Sequence, residues 1–188
     1  NGLPINDRAT IWTYNFDNVY NDVFIASPWS SAFGQAHVLQ AFVKAYNDTK
    51  DPKYLKLARK AAWAFDVPIE QGGFKSTLEG DIFFEEVPRP PAPHILNGHM
   101  IGTIALIEAG RSLADPEIEA LGMKGVLTLK HHLWLYDTGY WSRYDLNPRK
   151  FEIPIRLVPL DSRSAAGFQL DAVSVLDPSS GKAVRLDV

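Results

Sequence analysis

The strongest constraint on this chain is an internal repeat with a period of 64 residues. Gly34 aligns with Gly98, Ala41 with Ala105, Ala45 with Ala109, Asp51-Pro52 with Asp115-Pro116, Leu57 with Leu121 and Lys60 with Lys124. In the first unit Val38, Ala41, Phe42 and Ala45 fall at the i, i+3, i+4, i+7 spacing of one buried helix face. Asp51 then reads as an N-cap and Pro52 as the first residue of a second helix, with Tyr54, Leu57, Ala58, Ala61, Ala62 and Phe65 as its stripe. Each hairpin closes in a Gly-rich turn to a short extended segment, Gln71 to Phe74 in one and Gly139-Tyr140-Trp141 in the other. A helical hairpin cannot bury its apolar faces alone, so such units stack, and stacked in a ring they form an (α/α) toroid. The expected fold is therefore mainly α: toroid-type helical hairpins forming part of a ring, with short β-hairpins and a β-rich C-terminal tail.

The flanks depart from the helical period. Among the aromatics of residues 1–30, alternation at Trp12, Tyr14 and Phe16 predicts one short strand, with loop around it. Such rings serve packing first and suit the C–H face of a sugar second. From Phe151 onward the segments FEIPIRLVPL, GFQLDAVSVLDP and KAVRLDV alternate like strands, and Asp177 to Gly181 reads as a hairpin turn. The expected division is a helical domain over 1–150 and a β-rich tail, or the start of a further domain, over 151–188. The chain begins at Asn1 without methionine and stops at Val188 inside a strand-like stretch, the pattern of a piece of a longer protein.

Composition narrows the partners. With 19 basic and 22 acidic residues and no run of like charge, nothing points to nucleic acid. No apolar stretch reaches the roughly 18–20 residues of a membrane-spanning helix. The lack of cysteine excludes disulfides and thiolate chemistry. It leaves the compartment open, with the secretory pathway or cell exterior ahead.

The chemistry-bearing stretch is Phe83 to Gly98, FFEEVPRPPAPHILNG. Glu85 and Glu86 follow a strand-like run, and Pro88, Pro90, Pro91 and Pro93 hold the chain extended until a helix starts at His94 to Gly98. Successive side chains of an extended segment point to opposite faces, so one glutamate at most enters a given pocket. Burial there would raise its pKa toward the range useful to a general acid or base. Tyr144, between Arg143 and Asp145, is the second candidate. His37, His94, His99, His131 and His132 contain no His-x-x-x-His pair and no carboxylate at ligand spacing, so no zinc site is expected.

The pieces SSAFGQAHVLQAFVKAY, FFEEVP, LNGHMIGTIALIEAG and LYDTGYWSRYDL, spread over roughly 115 residues from Ser30 to Leu146, make the chain resemble the C-terminal helical domain of D-glucuronyl C5-epimerases. The resemblance implies an (α/α) toroid, an acidic polysaccharide containing glucuronate as substrate, and inversion at C5 by proton transfer on two faces; no cofactor or metal is expected. It places the family's catalytic glutamate on Glu86 and one catalytic tyrosine on Tyr144. Gln35, Arg89, His94, Asn97, Arg143 and Asp145 are the expected substrate ligands. The family's tyrosine after the glutamates is Val87 here, and the arginine after Tyr-Asp-Leu is Asn147. These departures give a second expectation, a polysaccharide-binding or scaffold module that keeps the fold without the chemistry. A hydrolase or lyase would need a further carboxylate, Asp137 or Asp145. A partial ring exposes apolar helix faces, so a homodimer or contact with other domains of a longer chain is also expected.

Overall fold

The protein is described by a computed structural model covering residues 2–21 and 23–147 and the backbone of 173–176 and 183–186. Four helices carry the repeat. α1 (Ala32–Thr49) begins where the Ser31 side chain accepts from the Phe33 N–H, and it stops at Lys50, which turns left-handed with φ 57°. α2 (Pro52–Trp63) starts from Asp51, whose carboxylate accepts from the Lys53 N–H, with proline in the first turn. α3 (Leu96–Ser112) and α4 (Pro116–His132) repeat the plan, with Asp115 accepting from the Ile118 N–H. The Asp-Pro caps are thus real helix starts. Each supplies an acceptor for orphan amides and a proline where no amide is needed.

α1 packs on α2, α3 packs on α4, and α1 lies against α3. The two hairpins therefore sit side by side with α1 and α3 adjacent. The core they share is rich in alanine, including the fully buried Ala36, Ala58, Ala61, Ala62 and Ala105, and contains the larger Leu39, Phe65, Phe74, Phe84 and Leu106. Small side chains let the helices approach, and the larger ones fill the remaining interior.

The chain before α1 is more structured than a single strand with loops. β1 (Leu3–Pro4) pairs with β2 (Thr10–Ile11), β3 (Thr13–Tyr14) pairs with β6 (Trp29–Ser30), and β4 (Asn18–Tyr20) pairs with β5 (Val23–Ile25), all antiparallel. Strands of two or three residues are too short to display an alternation, so the sequence showed only the Tyr14 stretch. β7 (Lys75–Leu78) and β8 (Asp81–Phe84) form a hairpin through Glu79 and Gly80, both at positive φ. β8 is held to α4 by the Thr128 hydroxyl, which donates to the Ile82 carbonyl at 2.5 Å.

Contacts divide the chain into two compact units, Asn1–Arg149 and Lys150–Val188. In the second unit, β9 (Val173–Leu176) and β10 (Ala183–Leu186) pair antiparallel, with Val173 opposite Leu186. The stretch FEIPIRLVPL and the turn at Asp177 to Gly181 lie outside the described residues. Among the described residues no helix is long and apolar enough to cross a membrane.

Candidate functional site

β8 runs directly into the two glutamates, and their backbone is fixed before their side chains are. The Glu85 N–H donates to the Phe74 carbonyl at 2.8 Å, and the Glu85 carbonyl accepts from the Ala32 N–H at 3.1 Å, tying the segment to the start of α1. The Glu85 side chain is fully buried. Its Oε1 accepts from the Ser76 hydroxyl at 2.5 Å and lies 2.7 Å from His94 Nδ1, while Oε2 accepts from the His94 N–H at 3.1 Å. Glu85 is a clamp on the corner where the proline arm turns into α3.

That corner explains where α3 begins. His94 is left-handed, with φ 50°, and its carbonyl accepts from the Tyr136 hydroxyl at 2.6 Å. A non-glycine residue in that region costs about 1–3 kcal/mol and persists only when its surroundings fix it. The helix therefore starts at Leu96, inside the expected His94–Gly98 stretch.

Glu86 has the opposite environment. Its Oε1 accepts from the Tyr144 hydroxyl at 3.1 Å, and its Oε2 is buried with no well-formed hydrogen bond among the described residues. A Cβ on Gly98 would stand 2.8 Å from that Oε2 and 2.4 Å from the Glu86 Cβ, so only glycine lets the first turn of α3 approach the carboxylate. Burial raises the Glu86 pKa above the ordinary glutamate value, outweighing the Tyr144 hydroxyl and the Gly98 amide, which lower it. Burial likewise raises Tyr144, helped by the charge of Glu86, against the lowering effect of the Asn97 side chain.

Tyr144 reaches Glu86 because its loop is stitched to the proline arm. The Leu96 N–H donates to the Tyr144 carbonyl at 3.1 Å, the Leu146 N–H to the Pro93 carbonyl at 3.1 Å, and the Arg143 N–H to the Tyr136 carbonyl at 2.7 Å. A third phenol was not anticipated. Tyr14, on β3, has its pKa raised by burial and then by the charge of Glu86, and its hydroxyl would stand 2.5 Å from a Cβ on Gly34. Its ring lies 4.6 Å from that of Trp29 and 5.3 Å from that of Phe16. The available signal was the pairing of Gly34 with Gly98 in the repeat.

The expected ligands divide into two groups. Asn97 Oδ1 and Arg89 Nε are buried without hydrogen-bond partners among the described residues, and Arg143 is exposed. Gln35, by contrast, is fully buried: its amide donates to the Thr10 and Ala61 carbonyls at 2.9 and 3.0 Å and accepts from the Trp12 N–H at 3.1 Å. Asp145 is 3% exposed and accepts from the Tyr20 hydroxyl at 2.5 Å and the Asn147 N–H at 3.2 Å. These two polar side chains join backbone segments, whereas His94 is tied to Glu85 through its backbone N–H, and its Nδ1, 2.7 Å from Glu85 Oε1, makes no well-formed hydrogen bond among the described residues. Val87 is 5% exposed, an interior apolar residue.

Beside Tyr136 and Leu96 opens a cavity of about 710 Å³, lined also by Trp134, Asp137, Tyr140 and Trp141. Trp134, Tyr140 and Trp141 are 69%, 91% and 74% exposed, so their ring faces are available to a ligand. His99 is buried between Phe83 and Phe84, its Nδ1 accepting from the Phe84 N–H at 3.0 Å and its Nε2 placed 3.1 Å from the Gly125 carbonyl. Elsewhere, Asp81, His131 and His132 bring one ligand atom each within 4.8 Å of one another.

Two side-by-side helical hairpins thus hold the Glu86 carboxylate against the Tyr144 phenol near the start of α3. The chain belongs to the family of the D-glucuronyl C5-epimerase C-terminus, which matches residues 6–159. It is 34% identical over 130 residues to a D-glucuronyl C5-epimerase of Caenorhabditis elegans, covering 63% of this chain and 21% of that protein. It is 32% identical over 145 residues to an uncharacterised protein of Methanocaldococcus jannaschii, covering 74% of this chain and 46% of that one. The chain thus spans less than half the length of either relative.

Proposed function

We propose that this chain carries the proton-transfer site of a D-glucuronyl C5-epimerase acting on an acidic, glucuronate-containing polysaccharide. The observation that carries this reading is the 3.1 Å contact from the Tyr144 hydroxyl to Glu86 Oε1, made between residues 58 positions apart in the chain. A glutamate with a raised pKa is a better base than an ordinary one, and a phenol with a raised pKa stays protonated at neutral pH as the acid. The sugar enters between them and replaces their hydrogen bond. The C5–H bond then breaks, its proton goes to Glu86, and the electron pair delocalises into the uronate carboxylate. Tyr144 delivers its proton to C5 from the opposite face, its phenolate regains a proton from solvent, and Glu86 releases to solvent the proton it took.

The carbanion forms only if the uronate carboxylate is neutralised. Arg89, Arg143 and Asn97 are the side chains assigned to that task. Gln35, His94 and Asp145 act behind them by holding the segments in place. The side-by-side hairpins are read as an arc of an (α/α) toroid over residues 1–150, with 151–188 as a β-rich tail or the start of a further domain.

Val87, apolar and buried at the position where the resemblance calls for a tyrosine, favours a second reading in which the domain binds the polysaccharide without turning it over. Incubation of the chain with glucuronate-rich polysaccharide in D₂O, read by NMR at C5, separates the two. The epimerase reading expects deuterium at C5, lost in Glu86→Gln and Tyr144→Phe. Binding without exchange gives the second reading, and exchange unchanged in both variants removes these residues from the chemistry.

A further inference from the structure

We infer that Asp81, His131 and His132 form a binding site for a divalent transition metal of the Zn²⁺ class, separate from the glutamate–tyrosine site. His131 Nδ1 and His132 Nε2 lie 2.7 and 2.9 Å from the same oxygen, Asp81 Oδ2. Two ligand atoms bound to Zn²⁺ at about 2.0–2.1 Å, at a near-tetrahedral angle, stand roughly 3.0–3.4 Å apart. The nitrogen–oxygen separations need to open by only a few tenths of an ångström for an ion to replace the two hydrogen bonds. Two imidazoles and one carboxylate are a donor set that suits Zn²⁺, Co²⁺ or Ni²⁺ and leaves a fourth position for water.

Adjacent residues on a helix ordinarily diverge by about 100°. Two features of α4 cancel that divergence here. The helix ends at His132, which has left regular helical geometry with φ −124° and ψ 1°. His131 also presents its proximal nitrogen and His132 its distal one. The negative end of the α4 dipole favours a cation at this place, and Lys130 in the same turn opposes it. His132 and Asp81 are 14% and 35% exposed and His131 is 50% exposed, so the pocket is partly sheltered and open to ions on one side.

The site would clip the end of α4 to the first residue of β8, next to the Thr128–Ile82 hydrogen bond. From Asp81 the strand leads in four residues to Glu85 and in five to Glu86. A metal there is a structural fastener on the strand that delivers both glutamates.

The test is calorimetric titration of tag-free, chelator-treated chain with Zn²⁺, accompanied by melting curves. One equivalent should bind and raise Tm by several degrees at ~100-fold excess over Kd. Asp81→Asn and the double variant His131→Asn/His132→Asn should each weaken binding by at least ~10-fold, with helical circular dichroism unchanged. Glu86→Gln should bind as the parent does, which separates this result from any failure at the proton-transfer site. No saturable binding, or binding undiminished in the double variant, overturns the inference.

Discussion

Gly34 and Gly98 occupy the same place, the third residue of α1 and of α3, and each is pressed against a different member of the candidate site. A Cβ on Gly34 would stand 2.5 Å from the Tyr14 hydroxyl, and one on Gly98 would stand 2.4 Å from the Glu86 Cβ. The repeat therefore brings a phenol and a carboxylate to neighbouring helix starts. Gly98→Ala is expected to displace Glu86 and to cost about 1–3 kcal/mol of stability, measured by denaturant melts. C5 exchange should fall further in Gly98→Ala than in Gly34→Ala, because the former strikes Glu86 itself.

Glu86 should also be visible in the pH dependence of stability. Its folded pKa lies above the unfolded value, so between the two the folded state holds more protons and stability falls as pH rises. The destabilisation is complete once pH passes the folded pKa. Glu86→Gln is therefore expected to melt higher than the parent at neutral pH, with the difference shrinking as pH is lowered toward the ordinary glutamate pKa. If the variant melts lower at every pH, burial does not dominate the Glu86 environment.

His99 should act in the opposite sense with acid. Burial lowers its pKa from 6.5 to about 4, so between these values the unfolded chain binds the extra proton. Its contribution is fully present above pH 6.5 and is lost as pH falls toward 4, on the order of 3 kcal/mol in total. In His99→Gln the absolute stability should drop, but the acid slope over that interval should flatten. Equilibrium unfolding at several pH values measures both.

The exposed rings that line the cavity beside Tyr136 give the proposed function a binding test. Trp141→Ala and Tyr140→Ala should weaken binding of a glucuronate-rich oligosaccharide about two- to tenfold, the range of a lost ring contact. Melting temperature should be nearly unchanged, because both side chains are largely exposed. Isothermal titration against the oligosaccharide checks the first outcome and a melting curve the second.

Local chemistry was legible in the sequence. The Asp51-Pro52 and Asp115-Pro116 helix starts, the paired hairpins and the strand-like stretches that contain β9 and β10 depend on neighbours in the chain, and periodicity and capping rules read such neighbours directly. The resemblance singled out Glu86 and Tyr144 as a pair, and the fold then put them in contact. Only the tertiary structure decided the rest. Gln35 is drawn into the core by carbonyls of β2 and α2, Asp145 is taken up by Tyr20 from 125 residues away, and Glu85 clamps a corner instead of facing a pocket. Tyr14 against Gly34 at the start of α1, and Asp81 beside two histidines about 50 positions on, were likewise beyond sequence spacing. A polar side chain's role is set by whichever partner desolvation leaves within about 3 Å of it, and in this fold those partners come from the segment before the first helix, from α2 and from the β7–β8 hairpin as well as from α4.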